Sequence, residues 1–302
     1  MRVGVTGSSG LIGRALVASL TARDDTVVAF VRSTAKDRPA LSVRWDPERD
    51  LVDSDDLRRV GGFDAVVHLA GAGIGDRRWS SMRKAEIVRS RVEGTSLLAH
   101  TIADLPSGVG IFASASAIGW YGNRGDEVLD ESSSHGEGFL ADVCVEWEHA
   151  TAPAAVTTSV AHIRTGIVVS ARGGALKRQL PLFRVGLGAY FASGQQWMSP
   201  ISLDDEVRAI QWIIDHRLEG PFNVVVPEPT TNRAFSEAVG AALGRPVKLR
   251  VPRIVLSNLL GAEMADELLL VSQRVVPTRL TASGFEFTHR DATSAIRAAI
   301  AQ

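Results

Sequence analysis

The stretch MRVGVTGSSGLIGRALVASLTARDDTVVAFVR, residues 1–32, holds three elements in succession. Met1 to Thr6 is a short apolar run closed by Gly7, and Leu11 to Leu20 carries apolar residues at helical spacing. Thr26 to Val31 is a continuous β-branched and aromatic run, the pattern of a parallel strand buried on both faces. Strand, turn, helix and second strand make a βαβ unit. Further runs of the same kind are Ala65 to Leu69, Val109 to Ala113, Val160 to Ile163 with Ile167 to Val169, and Phe222 to Val226. Helical stretches alternate with them over Met82 to Ala103, Leu140 to Ala150, Asp204 to Asp215 and Asn232 to Leu243. Such alternation specifies an α/β fold with a doubly wound parallel sheet.

After about residue 170 the pattern loosens. Gly173 to Gly194 is glycine-rich around LPLFRVGLGAYF, which reads either as a loop and short helix lining a pocket or as plain packing. Prolines 229, 246, 252 and 277 then separate short helices, the mark of a smaller C-terminal cap on the substrate side. The expected organisation is a core over 1–170 completed by about 197–226, with 171–196 and 227–302 forming the cap.

Composition narrows the function. The chain has 302 residues, 45% of them hydrophobic, enough for a sizeable core. With 33 basic and 34 acidic residues the net charge is −1, which gives no whole-chain argument for a nucleic-acid or membrane partner and leaves a small molecule as the expected one. The single cysteine, Cys144, excludes a disulfide framework within the chain and a Cys-rich metal site, and no H-E-x-x-H spacing occurs, so no metal is expected. The start MRVGVTGSSG has no basic segment ahead of a long apolar run, and no segment approaches 18 uninterrupted apolar residues. A cytoplasmic chain is expected.

Gly7-Ser8-Ser9-Gly10-Leu11-Ile12-Gly13 is a G-x-x-G-x-x-G turn between the first strand and its helix. Glycines there let the backbone approach a diphosphate, and the helix behind offers free N–H groups and its positive end. Gly7, Ser9, Gly10, Leu11, Ile12 and Gly13 are therefore the candidate dinucleotide contacts. The choice between the two nicotinamide cofactors falls at the end of the second strand, where a carboxylate would bond the adenosine ribose and repel a 2′-phosphate. Arg32 stands there, no acidic residue occurs between Thr26 and Ala35, and Arg14, Ser33 and Lys36 lie nearby. That corner favours NADP(H), although a solvated surface arginine is the plainer alternative.

With the turn, the segments Asp64-Ala-Val-Val-His-Leu-Ala-Gly71 and Ser114-Ala-Ser-Ala-Ile-Gly-Trp-Tyr-Gly122 make the chain resemble the extended and atypical short-chain dehydrogenase/reductase superfamily over nearly its whole length. Trp45-Asp46-Pro47, Arg78-Trp79 with Lys84, Ser90-Arg91, Phe139 to Cys144 and Gln273 to Pro277 are similar to its poorly characterised "epimerase family" branch, in which the segment near 250–297 forms a small C-terminal motif. The resemblance implies that Leu69, Ala70 and Gly71 border the cofactor's adenosine and ribose, and that Ser114 to Ser116 lie beside the nicotinamide. It also implies an oxidoreductase or nucleotide-sugar-epimerase-like activity, and dimers paired through Met82 to Ala103 and Leu140 to Ala150.

Catalysis in that superfamily uses a tyrosine with a lysine four residues on, the cation lowering the phenol's pKa while a serine orients the substrate. Here the only tyrosines, Tyr121 and Tyr190, are followed at that spacing by Gly125 and Gly194. Aligning the superfamily's helix places Phe139 at the tyrosine position and Val143 at the lysine position. Three residues are candidates for the missing chemistry: Ser116, matching the catalytic serine, Tyr121 in its glycine-flanked loop, and Lys84. Each has a plainer reading, as a strand-end hydrogen bond, a packed aromatic and a solvated lysine. Arg91 either clamps a substrate anion or pairs on the helix surface. Cys144, His68 and His162 read better as core residues than as nucleophile or ligands. A cofactor-binding module without turnover is thus the alternative to an enzyme.

Overall fold

In the computed structural model, which describes residues 1–32 and 39–301, one eight-stranded sheet organises the chain. Its strands in chain order are β1 (Arg2–Thr6), β2 (Thr26–Val31), β3 (Ser42–Asp46), β4 (Leu51–Val52), β5 (Phe63–His68), β6 (Val109–Ala117), β7 (Ser159–Thr165) and β8 (Gly220–Val224). Across the sheet they run β8-β7-β6-β5-β1-β2-β3-β4. All neighbours are parallel except β3 and β4, which are antiparallel, so the sheet is mostly rather than wholly parallel. The chain builds outward from β1 to β4, then returns to the other side of β1 and builds outward from β5 to β8. The reversal opens a crevice at the carboxyl ends of β1 and β5, the place where such sheets bind ligands.

Both faces are covered. Helix α1 (Leu11–Ala22) buries Gly13, Leu16 and Leu20, spaced to share one face, against Val3, Val5, Ala65 and Val67. Helix α6 (Leu203–Asp215) adds Val207, Ile210, Ile213 and Ile214 to the same layer. On the opposite face α2 (Ser54–Val60) and α3 (Ser81–Ala103) bring Val60, Leu98 and Ile102 onto Val28, Val66 and Phe112. Emptying the site of Phe112, which has no exposed surface, would cost about 3–5 kcal/mol. Helix α4 (Phe139–His149) lies beside α3 and buries Val143, Cys144, Trp147 and Glu148.

The smaller C-terminal region gathers around a separate cluster. Helix α5 (Gly174–Arg184) supplies Leu176, Leu180 and Phe183, α7 (Asn232–Ala242) supplies Phe235 and Val239, and the final helix Ala292–Ala301 supplies Ile296. Where the sequence offered a loop and short helix lining a pocket or plain packing for 173–194, eleven residues form α5, with Pro181 inside it. Asp205, buried on α6, ties this region to the sheet: its carboxylate accepts from the backbone of Thr288 and His289 and pairs with Arg208. Helix α8 (Arg253–Leu260) follows later in the same region. Among the described residues no helix is long and apolar enough to cross a membrane.

Candidate functional site

The turn after β1 is a cradle that only glycines can form. Gly7 has φ +64°, and a Cβ on it would lie 2.8 Å from the Leu69 carbonyl at the end of β5. A Cβ on Gly13 would overlap the Gly7 carbonyl oxygen, so α1 packs directly onto the turn. Gly10 caps α1 with no side chain, and the first turn contains no acidic residue. The N–H groups of Leu11, Ile12 and Gly13 at the open start of α1 therefore meet no side-chain cap and no carboxylate of the first turn. Ser9 lies exposed in the same turn. A diphosphate fits this donor set and this clearance.

Arg32 sits beside the cradle by register. The last residue of β1, Thr6, pairs with Phe30, and Arg32 follows β2 directly, so it stands at the strand end next to the turn. It is exposed, and no carboxylate pairs with it among the described residues. Of the other members of the expected cationic corner, Arg14 is exposed on α1, and Ser33 and Lys36 lie outside the described residues.

The segment after β5 is fixed from two sides. Thr6 Oγ1 accepts from the backbone N–H groups of Leu69 and Ala70 at 3.0 and 3.2 Å and lies 2.7 Å from His68 Nδ1. Burial, with Arg91 adding to it, pushes the His68 pKa down to about 3, so its ring is neutral. On the other side the Ser90 hydroxyl accepts from Ala72 N–H, and the Arg91 guanidinium donates to the carbonyls of Ala72 and Ile87. A Cβ on Gly71 would lie 3.5 Å from the Arg91 guanidinium carbon, which rests 4.9 Å over the Trp147 ring. Arg91 has no carboxylate partner among the described residues, and burial lowers its pKa to about 10, leaving it charged at neutral pH. It is not the surface ion pair that was one reading of the sequence.

Ser116 and Tyr121 share a buried polar network under α4. Ser116 Oγ donates to Glu148 Oε1 at 2.7 Å, and Arg164 on β7 grips the same carboxylate at 2.8 and 2.9 Å. Arg164 also donates to the Tyr121 hydroxyl, which donates to Asn223 Oδ1 at 2.7 Å. Tyr121 has no exposed surface, and burial pushes its pKa up to about 12. Its phenol is turned into the core rather than towards the crevice. Ser114 is buried one pleat before Ser116 on the same face, its hydroxyl near the Ala115 carbonyl.

Lys84 is apart from that network. Its ammonium pairs with Glu263 at 2.6 Å and lies 4.5 Å over the Phe139 ring, which meets Trp79 edge-on. Phe139 and Leu140 open α4, and both backbone N–H groups donate to the Glu267 carboxylate, at 2.9 and 2.8 Å. A residue of the C-terminal region thus caps the helix. Val143 is buried one turn on, and burial pushes the neighbouring Cys144 thiol up to about 12, the inert state expected of it.

Sequence reasoning missed Glu148, Arg164, Asn223 and Glu267. The only available signal was a charged residue on an otherwise apolar helix face at 148; Glu267 had none. Among the described residues no group of three or more His, Cys, Asp or Glu side chains is placed to hold a metal.

A sheet that reverses at its first strand, with a side-chain-free glycine cradle and an open helix end at the reversal, defines the Rossmann class of nucleotide-binding folds. Residues 3–226 match the NAD dependent epimerase/dehydratase family, and residues 251–299 match DUF1731, a domain of unknown function. The chain belongs to the NAD dependent epimerase/dehydratase family. It is 46% identical to an epimerase family protein of Mycobacterium bovis over 95% of this chain and 93% of the relative. It is 36% identical to the chloroplastic SDR39U1 homolog of Arabidopsis thaliana over 99% and 86%. Among solved structures it is similar to human epimerase family protein SDR39U1 with NADPH, at 30% identity and TM-score 0.89 over 99% of this chain and 98% of that one.

Proposed function

We propose that this chain binds NADP(H) in preference to NAD(H) and acts as an oxidoreductase or epimerase-like enzyme on a small carbonyl-bearing molecule, without a Tyr-x-x-x-Lys pair. The observation that carries the cofactor reading is the glycine cradle with Arg32, which has no carboxylate partner among the described residues, at the end of the neighbouring strand. The NADPH in the human relative supports the same choice. Gly7, Gly10 and Gly13 would let the diphosphate approach, Leu11 and Ile12 would donate to it, Arg32 would hold the 2′-phosphate, and Leu69 to Gly71 would border the ribose. Bound there, the nicotinamide supplies or accepts the hydride.

The chain's own residues must do the rest. Phe139 and Val143, at the positions that the resemblance gives to the tyrosine and lysine, carry no transferable proton. Arg91 supplies a fixed charge beside Gly71 and is suited to hold an oxygen anion or carbonyl of the substrate. Ser116 is the remaining hydroxyl at the end of β6, with Glu148 as its acceptor. We place the substrate between the sheet's carboxyl edge and the C-terminal region.

A second reading, a cofactor-binding module without turnover, is favoured by the internal partners of Ser116, Tyr121 and Lys84. NADPH titration followed by incubation with carbonyl compounds, quinones and nucleotide sugars separates the two. Absorbance loss abolished by Ser116→Ala supports the enzyme. Tight NADPH binding with no turnover supports the module, and absence of NADPH binding refutes both. Pairing of two copies through α3 and α4 is likewise proposed, and a monomer by light scattering at micromolar concentration would dismiss it.

A further inference from the structure

The net charge of −1 conceals a marked asymmetry. No acidic residue occurs between Glu148 and Asp204, and none between Glu237 and Glu263. Within those spans, residues 172–187 and 245–259 carry four Lys or Arg residues each. The fold joins the two stretches at a strand pair. The strand Ala189–Phe191, which follows α5, pairs in parallel with Leu249–Val251, which leads into α8. Of the eight cations, Arg178 pairs with Asp76 and Arg253 with Asp266; among the described residues the other six have no carboxylate within 4.0 Å.

The same ribbon exposes apolar side chains. Seven of the thirteen exposed large hydrophobic residues lie on it, with Val185, Ile254 and Leu259 each more than two-thirds exposed. Helix α5 turns Leu176, Leu180 and Phe183 inward and α8 turns Leu256 inward, so the outward residues are not packed against this chain.

We infer that this face docks on an anionic phospholipid surface. Arg172 adjoins Gly173, which lies against Leu11 of the glycine cradle, and is set aside; Lys177, Arg184, Arg245, Lys248 and Arg250, without counter-charges among the described residues, call for an anionic partner. Its chemistry is set by what lies between them: Lys248-Leu249-Arg250 and Arg253-Ile254-Val255 interleave cations with aliphatic residues. Aliphatic chains and the alkyl stems of Lys and Arg enter the acyl boundary while the charged heads stay at the phosphates. Single-stranded nucleic acid would instead ask for exposed aromatic platforms, and no aromatic residue is among the exposed large hydrophobics. The contact is peripheral, and the whole-chain charge, from which no membrane partner was expected, averages it away. This inference stands independently of the cofactor reading.

The test is co-sedimentation of the full chain with vesicles of phosphatidylcholine alone and of phosphatidylcholine mixed with phosphatidylglycerol. Binding is expected only to the second, weakening with salt, and each cation reversed in Lys248→Glu/Arg250→Glu should lower partitioning by roughly fivefold or more. Ile254→Ser/Leu259→Ser should also release the protein, with melting temperature unchanged in both variants because the sites are exposed. Failure to bind phosphatidylglycerol vesicles at low salt would overturn the inference. So would binding that survives both double variants, a dimer in solution that protects Ile254 and Leu259 from exchange, or capture of duplex DNA that the serine variant leaves intact while vesicles are ignored.

Discussion

Glu206 gives the sharpest quantitative expectation. It lies on α6 with no exposed surface, its Oε1 accepts from Thr165 Oγ1 at 2.8 Å, and its Oε2 has no partner. Burial pushes its pKa up to about 8 from 4.5, with the Thr165 hydrogen bond opposing. The folded chain therefore holds a proton that the unfolded chain releases at lower pH. Below pH 4.5 both states are protonated and the acid carries no penalty. As pH rises from 4.5 towards 8, stability falls by about 1.4 kcal/mol per pH unit, reaching on the order of 4–5 kcal/mol before levelling off. Glu206→Gln keeps the shape and the Thr165 contact but has no proton to lose. Melting followed by circular dichroism should show the variant and the parent alike near pH 4.5, and the variant higher by about 5–10 °C near pH 8.5. Parallel melting curves across that range would refute the assignment of a neutral buried acid.

Other substitutions test the remaining structure. Arg32→Asp should weaken NADPH binding by tens-fold or more, since a charge-assisted bond contributes about 1.5–3 kcal/mol, while NADH titrated fluorimetrically changes little. Gly13→Ala drives a methyl into the Gly7 carbonyl, so the turn must shift; cofactor affinity measured by calorimetry should fall while the fold persists. Glu148→Gln leaves Arg164 buried without its counter-charge and should lower stability in denaturant titration by about 3–5 kcal/mol. Glu267→Ala frees two N–H groups at the start of α4, with a loss of about 1 kcal/mol and faster amide exchange confined to Phe139 and Leu140.

The first 32 residues made the fold legible because their apolar periodicity changes from strand to helix to strand within one short unit. β3 and β4 were harder to see. Ser42–Asp46 interrupts its apolar residues with exposed Arg44, and Leu51–Val52 is only two residues long. Helix α2 has seven residues, too few for a clear period, and is recognisable mainly through its Asp53 cap. Pro181 and the surrounding glycines left a short helix as one reading of 173–194 without fixing its bounds. At the site, the cradle could be read because glycine is required locally. The partners of Ser116 and Tyr121 could not, because Glu148, Arg164 and Asn223 come together only once β6, β7, α4 and β8 are assembled.

The Glu267 cap has a consequence for the order in which the protein is made. Glu267 follows Phe139 by 128 residues, and Asn223 follows Tyr121 by 102. A nascent chain has completed β1 to β7 before either arrives, so it emerges with the first turn of α4 open and the Tyr121 hydroxyl without its acceptor. A chain halted before residue 267 would keep the first turn of α4 frayed while the rest of α4 stays packed.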